Sequence, residues 1–285
     1  MKKIFLLVSL FSVVLATSQT QDSLFVWKAG VLVHKQSIKP ADMDSITFKR
    51  PTNPTGINIA GPNVTDIDGN TYQSVTNCGL TFTKQNLNVS KYSDGTSIPQ
   101  VQDPTVWASL TTGAWCYYNN DPANELVYGK LYNWYAVVGI YDAASAANPL
   151  LRKKIAPAGW HVPTDTEWSM LINCLDPNGS AEHGDFEFNI SGGKMKATGI
   201  IEAGTGFWYE PNAGATNESG FTGLPGGYRL KELEFNNIGY IGGWWSTSEY
   251  FTGNAFYRYV GKGNGNAIVN GINMEYGFSV RCLRD

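Results

Sequence analysis

The sequence predicts an α+β domain that follows a short β-rich module at the N-terminus. Three observations indicate this class: a helix start specified residue by residue, an early β-hairpin signal, and strand-like segments near the C-terminal end. Between them lie long stretches rich in Gly and Asn. We therefore expect two main helices, small twisted antiparallel sheets and long ordered loops.

The best-specified element is the helix that begins after Gly159-Trp160-His161-Val162-Pro163. Thr164 can cap it, and Glu167 lies three residues later, which completes a capping box. The apolar residues that follow have the spacing of one helix face: Trp168, Leu171, Ile172 and Leu175. The same spacing predicts a second helix through Leu131, Trp134, Tyr135 and Val138.

The strand signals lie on both sides of these helices. Asp68-Gly69, between the apolar ends of 64–75, is a strong two-residue hairpin signal. The aromatic run at 115–118 predicts a buried strand. Towards the C-terminus we expect strands at 255–260, at 266–272 and, with strict alternation, at Phe278–Cys282.

The bulk composition excludes some partners. The chain has 285 residues, of which 16% are charged, and its formal net charge is −3. It has no basic run, so we expect no nucleic-acid partner. Plentiful Gly, Tyr and Trp indicate many turns and a neutral, aromatic surface.

The N-terminus predicts export. Met1-Lys2-Lys3 and the apolar run Ile4–Ala16 form the charged and apolar regions of a signal peptide, residues 1–18, with cleavage before Gln19. The apolar run is too short for a good membrane span, and no second long run follows, so we expect a secreted, periplasmic or surface protein with no membrane span.

The mature chain divides at a segment rich in turn residues. A module at 19–50 contains strand signals at 24–27, 30–34 and 44–48. The stretch 51–62 predicts a linker, and 63–285 the main domain.

Several segments, in order, resemble the Fibrobacter succinogenes major paralogous (FISUMP) domain family. They cover most of 63–285: Asp66–Asn70, Asn86-Leu87, Tyr92–Thr96, Tyr128–Trp134, Gly159–Pro163, Gly226–Arg229, Trp244-Trp245-Ser246 and Gly277–Cys282. This family is similar, more distantly, to the C-type-lectin-like and formylglycine-generating-enzyme (sulfatase-modifying-factor) folds. The resemblance implies that α+β fold but no established activity.

The four cysteines permit disulfides in an exported protein. The lectin-like resemblance implies a bond between Cys116 in a central strand and Cys282 in the last strand. Cys78 and Cys174 would then be left over. Four reduced or partly paired thiols remain an alternative.

The sequence does not assemble a catalytic set. Formylglycine-generating enzymes use a late cysteine pair, and no cysteine lies between Cys174 and Cys282. The mature histidines are His34, His161 and His183, and no nucleophile motif accompanies them. We expect a non-enzyme. An open pocket that holds His161 beside a second polar group would favour catalysis instead.

Two segments raise the question of calcium. Asp66-x-Asp68-Gly69-Asn70 imitates the start of a calcium loop but lacks the closing Glu, so the hairpin explains it better. Glu210-Pro211-Asn212 is similar to the sugar-binding tripeptide of many C-type lectins, although its companion motif is missing. The sequence fixes no cofactor and leaves a structural calcium ion open.

The loop aromatics predict the function. Trp208 and Tyr209 lie inside a Gly-rich loop, where we expect exposure. We predict a non-catalytic module that binds a glycan or a surface protein through the loops 191–217 and 239–254. Its candidate ligand-binding residues are Trp208, Tyr209, Glu210, Asn212, Trp244 and Trp245. The alternatives are a degenerate enzyme on the same scaffold and a structural part of a surface assembly, joined through strands in 24–48.

Overall fold

The computed structural model describes residues 22–28, 31–38, 57–178, 190–232 and 234–285. The chain forms two compact units that divide between Thr52 and Asn53. The predicted signal peptide, the predicted strand at 44–48 and His183 lie outside the described residues. No helix in the described ranges has the length and apolar character needed to cross a bilayer.

The first unit contains one antiparallel hairpin. Its strands are β1 (Asp22–Lys28) and β2 (Val31–Ile38). The register shifts between Val26 and Trp27, where the hairpin has an irregularity. The two strands predicted at 24–27 and 30–34 are therefore present, and both are longer than the prediction.

The second unit combines short helices with small antiparallel sheets, as an α+β domain requires. Its strands are β3 (Ile59–Ala60), β4 (Val64–Thr65), β5 (Thr71–Tyr72), β6 (Ser74–Asn77), β7 (Leu80–Thr83), β8 (Trp115–Cys116), β9 (Leu131–Tyr132), β10 (Trp160–His161), β11 (Gly226–Arg229), β12 (Phe235–Ile238), β13 (Ile241–Phe251), β14 (Asn254–Gly261), β15 (Ala267–Asn273) and β16 (Leu283–Arg284). Its helices are α1 (Pro104–Ala108), α2 (Glu125–Tyr128), α3 (Trp134–Val137), α4 (Ala143–Ala147), α5 (Asp165–Leu175) and α6 (Ser191–Met195).

A five-stranded sheet joins the beginning of this unit to its end. Its order is β10-β16-β7-β6-β3, so the last strand lies between β10 and β7. Leu283 pairs with Phe82, and Trp160 pairs with Arg284. Strand β3 lies within the stretch 51–62 that we predicted as a linker, so the sheet begins earlier than the predicted boundary.

The predicted C-terminal strands are present with one shift. Strands β14 and β15 match the predictions at 255–260 and 266–272 closely, and together with β13 they form a three-stranded sheet. The final regular strand is Leu283–Arg284, not Phe278–Cys282. In the predicted segment, Phe278 and Ser279 instead make isolated bridges to two other parts of the chain.

Helix α5 confirms the predicted helix start. The Thr164 hydroxyl accepts the N–H of Glu167, and the Glu167 carboxylate accepts the N–H of Thr164, so the capping box is complete. The predicted apolar face is buried: Trp168, Leu171, Ile172 and Leu175. Trp168 packs against Phe82 in the large sheet, with ring centroids 5.2 Å apart.

The second long helix is absent from its predicted position. Leu131–Tyr132 pairs with Trp115–Cys116 as a strand, and only the four residues of α3 are helical. The Asn133 side chain caps α3 at Ala136, which fixes the start of the helix after the strand. Gly139, with φ of +76°, follows α3 and packs against the Lys153 backbone, where a Cβ would clash. The domain therefore has one main helix, α5, in the described ranges.

The predicted disulfide is wrong. The structure bonds Cys78 to Cys174, across 96 residues, and leaves Cys116 and Cys282 as buried thiols. Cys78 lies in the β6–β7 turn, which packs against α5, whereas Cys116 belongs to a different sheet from the five-stranded one. In the chain-entropy description, closing such a loop stabilises the fold by about 4–5 kcal/mol. Burial raises the pKa of Cys116 to about 11, so its thiol stays protonated at neutral pH.

Candidate functional site

The structure buries the tryptophan that we expected to find exposed. Trp208 is 0% exposed, and its indole N–H donates to the Gly223 carbonyl at 3.2 Å. Its backbone makes a bridge to Ile200, which holds the segment against the core rather than in solvent. The prediction that Trp208 presents a stacking surface is therefore wrong.

Trp244 and Trp245 are also core residues. Both are fully buried in β13. The indole of Trp244 donates to the Asn86 side chain at 2.9 Å, and that of Trp245 donates to the Tyr132 carbonyl at 2.8 Å. Their N–H groups connect strand β13 to the rest of the core, so neither ring is available to a ligand.

The Glu210-Pro211-Asn212 tripeptide does not present a set of ligands. Glu210 is exposed, but Asn212 is only 7% exposed, and its amide donates inward to the carbonyls of Ala197 and Gly199. Tyr209 is half-buried against Tyr240, with ring centroids 4.8 Å apart. Of the six predicted ligand-binding residues, Tyr209 and Glu210 are the two that are not buried.

A lysine ammonium occupies the place in this loop where carbonyl oxygens converge. Lys196 is fully buried, and its Nζ donates to the carbonyls of Ala213, Gly261 and Asn264 at 2.8 to 2.9 Å. Burial lowers its pKa to about 8, so the ammonium form still dominates at pH 7. Carbonyls of this kind are calcium ligands elsewhere. Among the described residues, no group of three or more His, Cys, Asp or Glu is placed to hold a metal.

His161 lies between two carboxylates at the edge of an open cleft. Its Nδ1 is 2.7 Å from Asp285 Oδ1, and its Nε2 is 3.1 Å from Glu167 Oε1. The pKa of the imidazole is raised because its protonated form donates hydrogen bonds to Glu167 and, more weakly, to Asp285, opposed in part by burial. The polar partners that would favour catalysis are therefore present. Both ring nitrogens are engaged by these carboxylates.

A second cleft brings together residues from four separate segments. We call it the polar cleft; its volume is about 290 Å³, and its lining residues are Asp68, Asn70, Asn88, Ser90, Trp115, Tyr117, Glu125 and Lys130. The β4–β5 hairpin supplies one wall. This hairpin confirms the predicted Asp68-Gly69 turn, with Gly69 at φ +89°.

The Asp66 side chain stabilises the turn at Asp68-Gly69 by accepting hydrogen bonds from residues on both sides of it. One carboxylate oxygen accepts the N–H groups of Asp68 and Asn70, and the other accepts the Tyr72 hydroxyl at 2.6 Å. The calcium-like spacing is thus an Asx turn that orders the hairpin. It leaves the side chains of Asp68 and Asn70 facing the polar cleft.

Lys130 lines the polar cleft and contacts several of its other residues. It is 4% exposed, and its Nζ donates to the Asn88 carbonyl, the Asn88 side chain and Glu125 Oε1 at 2.7 to 2.9 Å. The same ammonium is 4.7 Å from the ring centroid of Trp115 and 5.5 Å from that of Tyr117. Cation–π contacts of this kind favour a fixed arrangement of rings and charge.

Both carboxylates of the polar cleft are held in the ionised form. Burial opposes ionisation of Asp68, but hydrogen bonds from Ser90 and the Lys91 ammonium lower its pKa to about 2. Burial likewise opposes ionisation of Glu125, yet Lys130 lowers its pKa below the usual value. Since glycoside hydrolysis requires one protonated carboxyl group, this pair lacks a general acid.

Comparison with protein families identifies the domain. The model of the family described as Fibrobacter succinogenes major domain matches residues 75–284. The chain belongs to this family. Comparisons with curated proteins and with solved structures find no match. The lectin-like similarity stays a prediction.

In this Fibrobacter succinogenes major domain, some of the segments that carry the sequence resemblance lie in the core and others line a cleft. Asp66–Asn70 and Tyr128–Trp134 both contribute to the cleft, and Asn86-Leu87 leads directly into Asn88. Trp244-Trp245-Ser246 and Gly277–Cys282 lie in the core. Two of these segments therefore line the polar cleft, and a third ends one residue before it.

Sequence reasoning missed Asn88, Tyr117, Glu125 and Lys130 as site residues. The one signal available was the composition around Lys130, a single charge between the aromatic residues Tyr128 and Tyr132. A lysine in such an apolar segment needs a buried acceptor or an opening to solvent. The sequence could not show that Asn88 and Glu125 are those acceptors, because they lie 42 and 5 residues away.

Proposed function

We propose that this domain is an exported, non-catalytic binding module that recognises a glycan through the polar cleft. The observation that carries the proposal is the Lys130 network, in which one buried ammonium fixes an amide, a carboxylate and two aromatic rings around an open cavity. Few and well-positioned polar groups beside an aromatic wall are typical of small-ligand sites.

The chemistry of the cleft fits a polyhydroxylated ligand. Sugar hydroxyls both donate and accept hydrogen bonds, and the ionised carboxylates of Asp68 and Glu125 accept them strongly. The half-buried Tyr117 ring offers a face on which the C–H groups of a sugar can pack. The charges of Lys91 and Lys130 offset the two carboxylates, so the cleft does not select for a strongly charged ligand.

Two features support binding rather than catalysis. Both carboxylates of the polar cleft are ionised, and neither can serve as a general acid at neutral pH. His161 lines a separate cleft with both ring nitrogens engaged. Export is supported by the Cys78–Cys174 disulfide, which requires an oxidising compartment in most organisms.

A glycan array tests the proposal, followed by titration of the best ligand against variants of the full chain. Ser90→Tyr fills the polar cleft and removes one side-chain hydrogen bond, so we expect binding to fall at least about tenfold. Ser109→Tyr is the matched control, because Ser109 is exposed and its hydroxyl also makes one hydrogen bond, to the Val106 carbonyl. Thermal melts of both variants check that each is folded.

The same titration separates the polar cleft from the loop predicted by sequence. Tyr117→Ala should weaken binding, and Tyr240→Ala, in the exposed aromatic pair with Tyr209, should leave it unchanged. The reverse result would place the site in the loop. If the array shows no bound glycan, and the chain instead captures a surface protein in a way that Ser90→Tyr abolishes, then the ligand of the polar cleft is a protein and not a glycan.

A further inference from the structure

The cleft beside His161 has a different chemistry from the polar cleft. Its volume is about 420 Å³, within the range of small-ligand pockets. We call it the apolar cleft, since much of its lining is apolar: Val137, Val138, Pro149, Ile155, Ala156, Trp160 and Val162. Most of these side chains are buried residues of the main core, so the walls are rigid.

Cationic side chains line one side of this cleft. The Arg152 Nε makes one long hydrogen bond, 3.4 Å, to the Ser145 carbonyl, and its two terminal nitrogens have no partner among the described residues. The exposed Lys154 ammonium also has no partner there. Lys153, in contrast, is bound to Asp94 at 2.6 Å and lies over the Tyr141 ring. Two cations are thus free to meet an anionic ligand.

The carboxylates near the cleft already have hydrogen-bond partners. Glu167 and Asp285 both bind the His161 imidazole, and Asp94 binds Lys153. The remaining polar groups of the lining are the Thr164 and Thr247 hydroxyls. An incoming anion can therefore pair with Arg152 and Lys154, which have no ion pair with a carboxylate among the described residues.

Trp160 supplies a second, independent observation. It is 5% exposed, yet its indole N–H has no acceptor, whereas every other tryptophan side chain that the structure describes donates its N–H. The structure has a few polar side-chain atoms that lack both a hydrogen-bond partner and solvent contact, among them atoms of Tyr92 and Arg229, but the Trp160 indole nitrogen is not one of them. The Trp160 N–H must therefore reach solvent, and the apolar cleft is the cavity that this ring lines. A donor of a largely buried ring that only solvent can satisfy is available to a ligand that brings an acceptor.

We propose that the apolar cleft binds a small organic carboxylate with an apolar body. The apolar part packs on the walls, and the carboxylate accepts hydrogen bonds from the Trp160 N–H and the two free cations. This site is independent of the polar cleft, and it requires no glycan.

The indole resonance of Trp160 reports binding directly. We would titrate the full chain, labelled with ¹⁵N, with 4-phenylbutyrate and with its neutral amide, and assign the resonance with Trp160→Phe. We expect a saturable shift of this indole with the carboxylate and binding at least about tenfold weaker with the amide. No shift, or equal affinity for acid and amide, would overturn the proposal.

Charge variants complete the test without disturbing the core. Arg152→Gln and Lys154→Gln should each weaken the carboxylate severalfold and leave the weak binding of the amide unchanged. Lys84→Gln removes a half-buried lysine that does not line the cleft and should change neither. Equal effects from all three variants would show nonspecific attraction and refute a defined site.

Discussion

Lys130 and Lys196 are both buried lysines, yet their surroundings differ in kind. Lys196 donates to three backbone carbonyls and is fully enclosed. Lys130 donates to one carbonyl and two side chains, and it lines an open cavity between aromatic rings. The first arrangement fixes backbone, and the second fixes side chains that a ligand can reach.

This difference separates a structural cation from a functional one. A backbone carbonyl cannot move away without rearranging the loop, so losing the Lys196 ammonium leaves three backbone acceptors without their donor. Asn88 and Glu125, in contrast, are half-buried side chains that can turn towards water. Burial alone is therefore a poor guide to function, and the type of acceptor is a better one.

The largest expected effect comes from Lys196→Met. The free energy of unfolding should fall by about 3–5 kcal/mol, because three carbonyls lose their donor together. Chemical denaturation measures it. Lys194→Met is the matched control: it lies two residues away, 3.5 Å from Glu218 at the surface, and should cost under about 1 kcal/mol. Equal losses of stability in the two variants would show that the fold does not depend on the three hydrogen bonds between Lys196 and the backbone carbonyls.

Lys130→Met should lower the free energy of unfolding less than Lys196→Met does, but it should weaken ligand binding more. We expect a loss of about 2–3 kcal/mol in the free energy of unfolding, since its partners can regain water. Glycan binding should disappear, because the rings and the Asn88 side chain lose their fixed arrangement. A Lys196→Met protein that remains folded should still bind. If Lys130→Met binds normally, the ammonium is a structural group like Lys196, and the contrast fails.

The sequence predicted the fold where local rules decide it. The capping box at Thr164 and the hairpin at Asp68-Gly69 need only neighbouring residues, and both are present. The second helix failed because Leu131–Tyr132 has a strand partner at Trp115–Cys116, which no local pattern shows. The disulfide failed for the same reason: the turn at Cys78 meets helix α5 only in the folded sheet.

The site was harder to predict than the fold. Aromatic residues in a Gly-rich loop suggested exposure, but the indole N–H of Trp208 finds a carbonyl inside the protein. The polar cleft depends on Asn88 and Lys130, whose contact spans 42 residues. Sequence patterns of this kind give residue types and spacing, whereas a cleft needs the positions of segments that are distant in the chain.

The pH dependence of stability tests the structural role of Lys196. Its folded pKa, about 8, lies below the ordinary value for lysine, so the unfolded chain binds more protons between about pH 8 and 10.4. The free energy of unfolding should therefore rise with pH in this window, by about 2 kcal/mol relative to Lys196→Met. Denaturation curves of both proteins at pH 7.5 and 10 give the difference. A difference that stays constant would show that burial does not perturb the ammonium.

The smallest effect concerns a cation at the surface, His161. Its folded pKa lies above the ordinary 6.5, so the stability from its two carboxylate contacts is complete below about pH 6.5 and disappears as the pH rises through the folded value. Because the side chain is 35% exposed, we expect His161→Gln to cost under about 1 kcal/mol at pH 6 and still less at pH 9. Denaturation at the two values tests the sign. A larger cost at pH 9 would mean that the fold requires the neutral imidazole, and the contacts with the two carboxylates would not be ion pairs.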